Sequence, residues 1–256
     1  MASRPQSPPR HPAPGARPPQ PGLQRPGLPR PGLPRAGMML PMRVWDMPVR
    51  LFHWVLVILL AVSWVSIEFL NDMRIHMLSG QALLVLLLFR LVWGFIGSDT
   101  ARFSRFLGSP LAGLRHLRRF GRREPDTQVG HNEAGGWMVL AMLLVLLAQV
   151  LTGLFANNED SFVEGPLSRL VGSEWGAWAL QQHHRLFTAI QVLVALHLLA
   201  IFAYAVVKRH NLLHPMITGK KRLPAATPAP RMRSPYLALA ILATAAALVW
   251  AVVNLL

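Results

Sequence analysis

Hydrophobic positions in this chain gather into five long runs, at about residues 49–67, 75–96, 135–155, 183–207 and 235–256, and polar positions are largely confined to the stretches between them. Each run is close to the roughly 20 apolar residues that a helix needs to cross a hydrocarbon core. None alternates as a barrel strand would, and inside a bilayer only helices and closed barrels satisfy their backbone groups. The pattern therefore predicts an all-α membrane protein, a four-helix transmembrane bundle with a fifth, C-terminal transmembrane helix. The expected organisation is a tail over 1–43, a four-helix core over 44–222, a linker over 223–234 and the fifth helix over 235–256.

The connecting stretches carry their own signals. Residues 1–43 hold seven Arg and no acid, with the run PGLQR-PGLPR-PGLPR from Pro21 to Arg35. Such a segment cannot bury a core and is expected to be extended and disordered. It is read either as a basic tail on anionic lipid or as an untranslated extension, with Met38, Met39 or Met42 as the true start. Between the second and third runs, Ser109-Pro110 resembles a helix start, and Leu111, Leu114 and Leu117 recur opposite Arg115, Arg118 and Arg119. That spacing predicts a helix lying in the membrane interface.

Composition sharpens the picture. The net charge is +15, but 21 of the 26 Lys and Arg lie in segments 1–43, 98–130 and 208–233, beside the apolar runs. That is a topology signal and argues against nucleic acid as a partner. Those three segments are expected on the cytoplasmic side of a bacterial inner membrane. The loops at 68–74 and 156–178, acidic or neutral, face outward, so the N-terminus is cytoplasmic and the C-terminus periplasmic. Cysteine is absent, which removes disulfides, iron–sulfur clusters and covalently attached haem.

The candidate chemistry lies in the histidines. His183 and His197 are 14 residues apart in the fourth run. At about 100° per residue they share a helix face, about 21 Å apart along the axis. His184, one residue on, falls off that face. With the orientation above, His53 lies at the inner level with His197, and His76 at the outer level with His183. Any one histidine alone is more economically read as a hydrogen-bonded interfacial residue. Four at matched depths suit two haem b groups, each held non-covalently by two imidazoles. Zinc is a poorer fit, because it needs three or four ligands at one point. Arg50 and Arg90 at the inner level and Arg185 at the outer level are candidate partners for haem propionates. Gly80 lies one turn beyond His76, where a cofactor would need room. His131 is read either as a quinone contact or as a cap on the third helix.

The segments VWDMPVRLFHW, HMLSGQALLVLLLFRLVWGFIGSDTARFSRF, GHNEAGGWM and HNLLHPMITGKK, together with the spaced histidines of the fourth run, resemble the prokaryotic cytochrome b561 family, which is related to the cytochrome b subunits of nickel–iron hydrogenases. The likeness spans residues 44–222. It implies four helices holding two b haems, on His53 with His197 and on His76 with His183. That family usually has an acidic residue after the first histidine of the fourth span; here His184-Arg185 stand there. The implied function is single-electron relay across the membrane between the quinone pool and a redox partner, whether a hydrogenase, a c-type cytochrome or another protein. Whether the chain is itself an enzyme is left open. Two other classes compete: a haem-free anchor for a soluble redox enzyme, and a transporter whose histidines carry protons or metal ions.

Overall fold

The computed structural model describes residues 38–118, 121, 127–158 and 163–255. Residues 1–37 of the Pro/Arg-rich tail expected over 1–43 therefore lie outside the described residues, as do Glu159 and Asp160 of the loop expected to face outward.

Five long helices carry the apolar runs: α1 (Met47–Glu68), α2 (Met73–Ile96), α5 (Glu133–Phe155), α6 (Ser173–Ala203) and α8 (Pro235–Leu255). All five are long and apolar enough to cross a membrane, and the protein is a multi-pass membrane protein. Short polar residues start the first three. The Asp46 carboxylate accepts from the Val49 N–H at 2.7 Å, that of Asp72 from Ile75 at 3.0 Å, and the Asn132 amide oxygen from Gly135 at 2.7 Å. Each satisfies an N–H that the helix itself cannot. Between the long helices lie α3 (Phe103–Phe106), α4 (Pro110–Arg118) and α7 (Leu213–Thr218).

The fourth span departs from its expected start. It begins at Ser173, ten residues before the His183 at which the apolar run opens. Residues 173–182 contain nothing that breaks a helix, and Glu174 sits favourably in the first turn. Hydropathy marks where a helix enters lipid, not where it starts winding. At its other end α6 runs into a π-helical turn, Tyr204–Lys208, and stops at Arg209, whose φ of 58° is left-handed.

The tail expected to be disordered through residue 43 is ordered at its end. Strand β1 (Met39–Arg43) pairs antiparallel with β4 (Lys220–Pro224), Met39 opposite Pro224 and Arg43 opposite Lys220. The segment beyond the core thus opens as a strand. Gly219, at φ +77°, turns the chain so that its carbonyl accepts from both Val44 and Trp45, at 2.8 and 3.2 Å. A smaller pair, β2 (Asn157–Asn158) with β3 (Val163–Glu164), lies at the opposite end.

Helix α2 sits at the centre: 33% of its most apolar window is buried, against 11% for α6. It packs against α1, α5 and α8, whereas α6 packs closely along only one long helix, α5. Helices α1 and α2 thus stand off from α6. The rest of each helix turns large apolar side chains outward, Ile58 and Trp64 on α1 and Leu199 and Phe202 on α6 among them, as lipid contact requires. Helix α8 lays Ala238, Ala245 and Val249 against the bundle. The segment leading into it is tied down at its start: Asp99 N–H donates to the Arg231 carbonyl (3.1 Å), Arg231 N–H to the Asp99 carboxylate (3.0 Å) and Arg233 N–H to the Ser98 hydroxyl (3.0 Å).

Candidate functional site

The gap between α6 and the α1–α2 pair is crossed by two pairs of histidines. With the two levels named by the orientation expected from the charge pattern, His76 on α2 and His183 on α6, at the outer one, have ring centroids 6.0 Å apart. At the inner level, His53 on α1 and His197 on α6 are 6.5 Å apart.

Each outer imidazole is held from behind by the helix its own helix packs on. His76 donates from Nδ1 to the Ser63 carbonyl at 2.9 Å, with the Ser63 hydroxyl 3.1 Å away. His183 donates from Nδ1 to the Gln149 carbonyl at 2.9 Å. These bonds fix the tautomer and leave Nε2 of each ring as a lone-pair donor; on His183 that atom receives the Gln149 side-chain amide at 3.1 Å. A hydrogen bond from the far ring nitrogen to a carbonyl is what orients a metal-binding imidazole. Gly153 permits the contact, because a Cβ there would lie 2.9 Å from Cε1 of His183.

The two rings line a cavity of about 560 Å³, walled by α1, α2, α5 and α6 and lined also by Gly80, Gln149, Gly153 and Phe187. That volume lies within the roughly 300–1,000 Å³ usual for small-molecule and cofactor sites. A Cβ built on Gly80 meets nothing within 4 Å, so the glycine leaves open space one turn above His76. His184 also lines the cavity, while Arg185 is exposed and does not.

At the inner level Arg90 is almost fully buried, 3% exposed, with its guanidinium 5.1 Å from the Phe103 ring centroid. Asp46, whose second oxygen accepts from the Trp93 indole at 3.0 Å, is the acid whose charge acts on it. Arg50 donates to the Ile217 carbonyl and so braces α7. The expected cap role of His131 goes to its neighbour Asn132, since a cap needs a short side chain that folds back on the helix. His131 instead lies between Trp45 and Phe106, with ring centroids 4.6 and 5.0 Å away. Burial, with Arg90, His197 and His53 adding to it, pushes its imidazole down to about 3, so it is neutral.

Among the described residues, the buried side-chain polar atoms that lack a hydrogen-bond partner are Nε of Arg50, Nδ1 of His53, Nη1 of Arg90, Oγ1 of Thr100, Nδ1 of His131 and Oε1 of Gln149. They belong to residues at the two histidine levels or their immediate surroundings. An orphaned buried polar atom costs about 1–3 kcal/mol, so their clustering around the His53–His197 level points to a polar ligand there.

The donor set suits haem. Two imidazole nitrogens each about 2.0 Å from one metal ion, with ring centres a further ~1.1 Å out, bring the centroids to roughly 6 Å. Both observed separations match. Among the described residues no three His, Asp or Glu converge as a compact metal site would need. Sequence reading missed Ser63, Gln149 and Gly153. Gln149 had a signal, as a lone amide in an otherwise apolar span; Ser63 and Gly153 are legible only once the helices are packed.

Comparison with known proteins gives concordant results. A family model described as "Prokaryotic cytochrome b561" matches residues 44–219. A "Probable Ni/Fe-hydrogenase B-type cytochrome subunit" of Bradyrhizobium diazoefficiens is 26% identical over 211 residues, covering 70% of this chain and 85% of that protein. Its namesake from Rhizobium leguminosarum bv. viciae is likewise 26% identical over 211 residues, with 70% and 87% covered. No solved structure matches significantly.

Proposed function

Because the chain belongs to the prokaryotic cytochrome b561 family, and is thus a membrane b-type cytochrome of electron transfer, we propose that it holds two haem b groups and relays single electrons across the membrane. The observation that carries this is the pair of cross-gap imidazole separations, 6.0 and 6.5 Å, at two levels of one helix. His76 and His183 ligate at the outer level, His53 and His197 at the inner. Bound haem supplies reversible one-electron iron chemistry. The chain does the rest. Ser63 and Gln149 hold the outer imidazoles in one tautomer, Gly80 leaves room for the macrocycle, and apolar walls exclude water. Two imidazoles per iron leave no open coordination position, so the site passes electrons and does not bind substrate at the metal.

The basic segments orient the chain in a bacterial inner membrane with its N-terminus inside and C-terminus outside. One electron partner is the quinone pool. The other is a redox protein, and the naming of both curated relatives as hydrogenase subunits favours a hydrogenase. Exposed Trp175 and Trp178, on the first turns of α6, sit where such a partner would meet the outer face.

A reduced-minus-oxidised spectrum with a haem-to-protein ratio tests the reading. Two b-type haems per chain are expected, one after His183→Ala and still two after His184→Ala. A colourless protein from haem-replete cells rules out the proposal, and loss of haem on His184→Ala moves the outer ligand by one residue.

A further inference from the structure

Unsatisfied polar atoms are most numerous at the inner end of the bundle. Five of the six named above belong to Arg50, His53, Arg90, Thr100 and His131; only Gln149 lies at the outer cavity. They come from α1, α2 and the two segments flanking α3 and α4. His131 stacks on the Trp45 ring. A Cβ on Gly130 would touch both Thr100, at 3.5 Å, and Trp45, at 3.7 Å. Arg90 and His131 act on one another electrostatically, and His131 also on His53 and His197.

Each of these atoms is able to donate. Nη1 of Arg90 and Nε of Arg50 are N–H donors, and Thr100 can donate its hydroxyl hydrogen. A neutral imidazole carries one N–H, and Nδ1 of His131, sealed from solvent without a hydrogen-bond partner, is a donor when it holds that proton. The charge on Arg90 is not closed either: the carboxylate that acts on it, Asp46, has its oxygens already bonded to Val49 N–H and the Trp93 indole. What is missing is an anionic oxygen acceptor with room for more than one donor, which describes a carboxylate.

We infer that Arg90 and His131 form a carboxylate site that receives a propionate of the inner haem, with His131 donating from Nδ1 as a positioning residue. This rests on the two-haem reading and extends it to a residue outside the ligand set. Removing the His131 donor leaves the carboxylate charge less compensated beside the iron. That favours the ferric state, so the inner centre becomes harder to reduce while the outer one is untouched.

The test is a potentiometric titration of the purified, haem-loaded full chain. On His131→Leu one of the two centres is expected to fall by about tenfold in its reduction equilibrium, about 59 mV for one electron, with both haems retained. His131→Asn, which returns an amide N–H close to the Nδ1 position, should restore most of it. Loading His131→Leu and the unsubstituted chain with haem dimethyl ester should abolish the difference between them. Two bound haems with unchanged potentials, or an equal shift with the ester, overturns the inference and leaves the two-haem reading standing. An unsubstituted chain that binds no haem removes both. Should neither variant fold, haem labelled with ¹³C at its carboxyl groups settles the matter in the unsubstituted chain. A carboxylate band displaced from its solvated frequency is expected, and only solvated bands refute the site.

Discussion

Around the outer histidines, single atoms decide whether a macrocycle fits. Gly80 faces open space, so Gly80→Ala should be silent, whereas Gly80→Leu would extend a side chain into the cavity beside His76. The expected outcome is a haem ratio falling from two to one, with the inner spectrum retained. Gly153 makes the opposite demand. A methyl there sits 2.9 Å from Cε1 of His183, and the ring must swing off the Gln149 carbonyl that orients it. Losing the hydrogen-bond partner that orients a ligating imidazole typically costs about 10–100-fold in metal affinity, so Gly153→Ala should release the outer haem at that much lower competitor concentration. The ligand candidates are legible in sequence because helix phase is local: fourteen residues bring two imidazoles to one face whatever the helix packs against. Gly153 is not, since its role depends on which helix lies opposite.

Among the elements, the apolar helices follow from the hydropathy pattern, and their capping residues are visible beside them. The clasp that joins the two ends of the core is not. Strands β1 and β4 lie about 180 residues apart in sequence, are short, and read MLPMR and KKRLP without a period-two alternation, so no periodicity announces them. Gly219 is the hinge of that clasp. Its φ of +77°, with Arg50 and the Trp45 carbonyl both 2.9 Å from a built Cβ, leaves no place for a side chain. Gly219→Ala should destabilise the protein by more than about 1 kcal/mol, read as a lower Tm in detergent. The latch before α8 is electrostatic. The Arg231 backbone N–H, with the charges of Arg105, Arg102 and Arg231 adding to it, holds the Asp99 carboxyl below the usual carboxylate range against the opposing effect of burial. Stabilisation from such a group is present above its unfolded pKa and lost as pH falls through the lower, folded value. Asp99→Ala should therefore loosen the 231–234 segment at neutral pH, seen as faster amide exchange at Arg231. The unsubstituted chain should show the same loosening only in strong acid.

Seen whole, the bundle is two packed pairs, α1 with α2 and α5 with α6, joined through α2 and α5 and open between α6 and its opposite partners. A helix of 36 residues, π turn included, with one close long-helix neighbour has little protein contact to hold it upright. Lipid offers no hydrophobic drive for helices to close such a gap. The imidazole pairs bridge it at both levels, so on the two-haem reading each iron ties α6 to α1 or α2 and the cofactor is part of the fold. A ligand that binds only the assembled state stabilises it by mass action. Protein made without haem should therefore insert with all five helices yet show rapid exchange along α6 and early protease cuts after Lys208 or Arg209. Adding haem should protect both regions. The two levels need not respond together. His183→Ala removes the outer tie but leaves His197 with His53, so cleavage near Lys208, at the inner end, should stay slow. His197→Ala leaves the outer tie and frees the inner end, where the π turn and the left-handed Arg209 already interrupt the helix. If both variants exposed the inner site equally, the haems would not be acting as separate cross-braces, and α6 would owe its position to α5 alone.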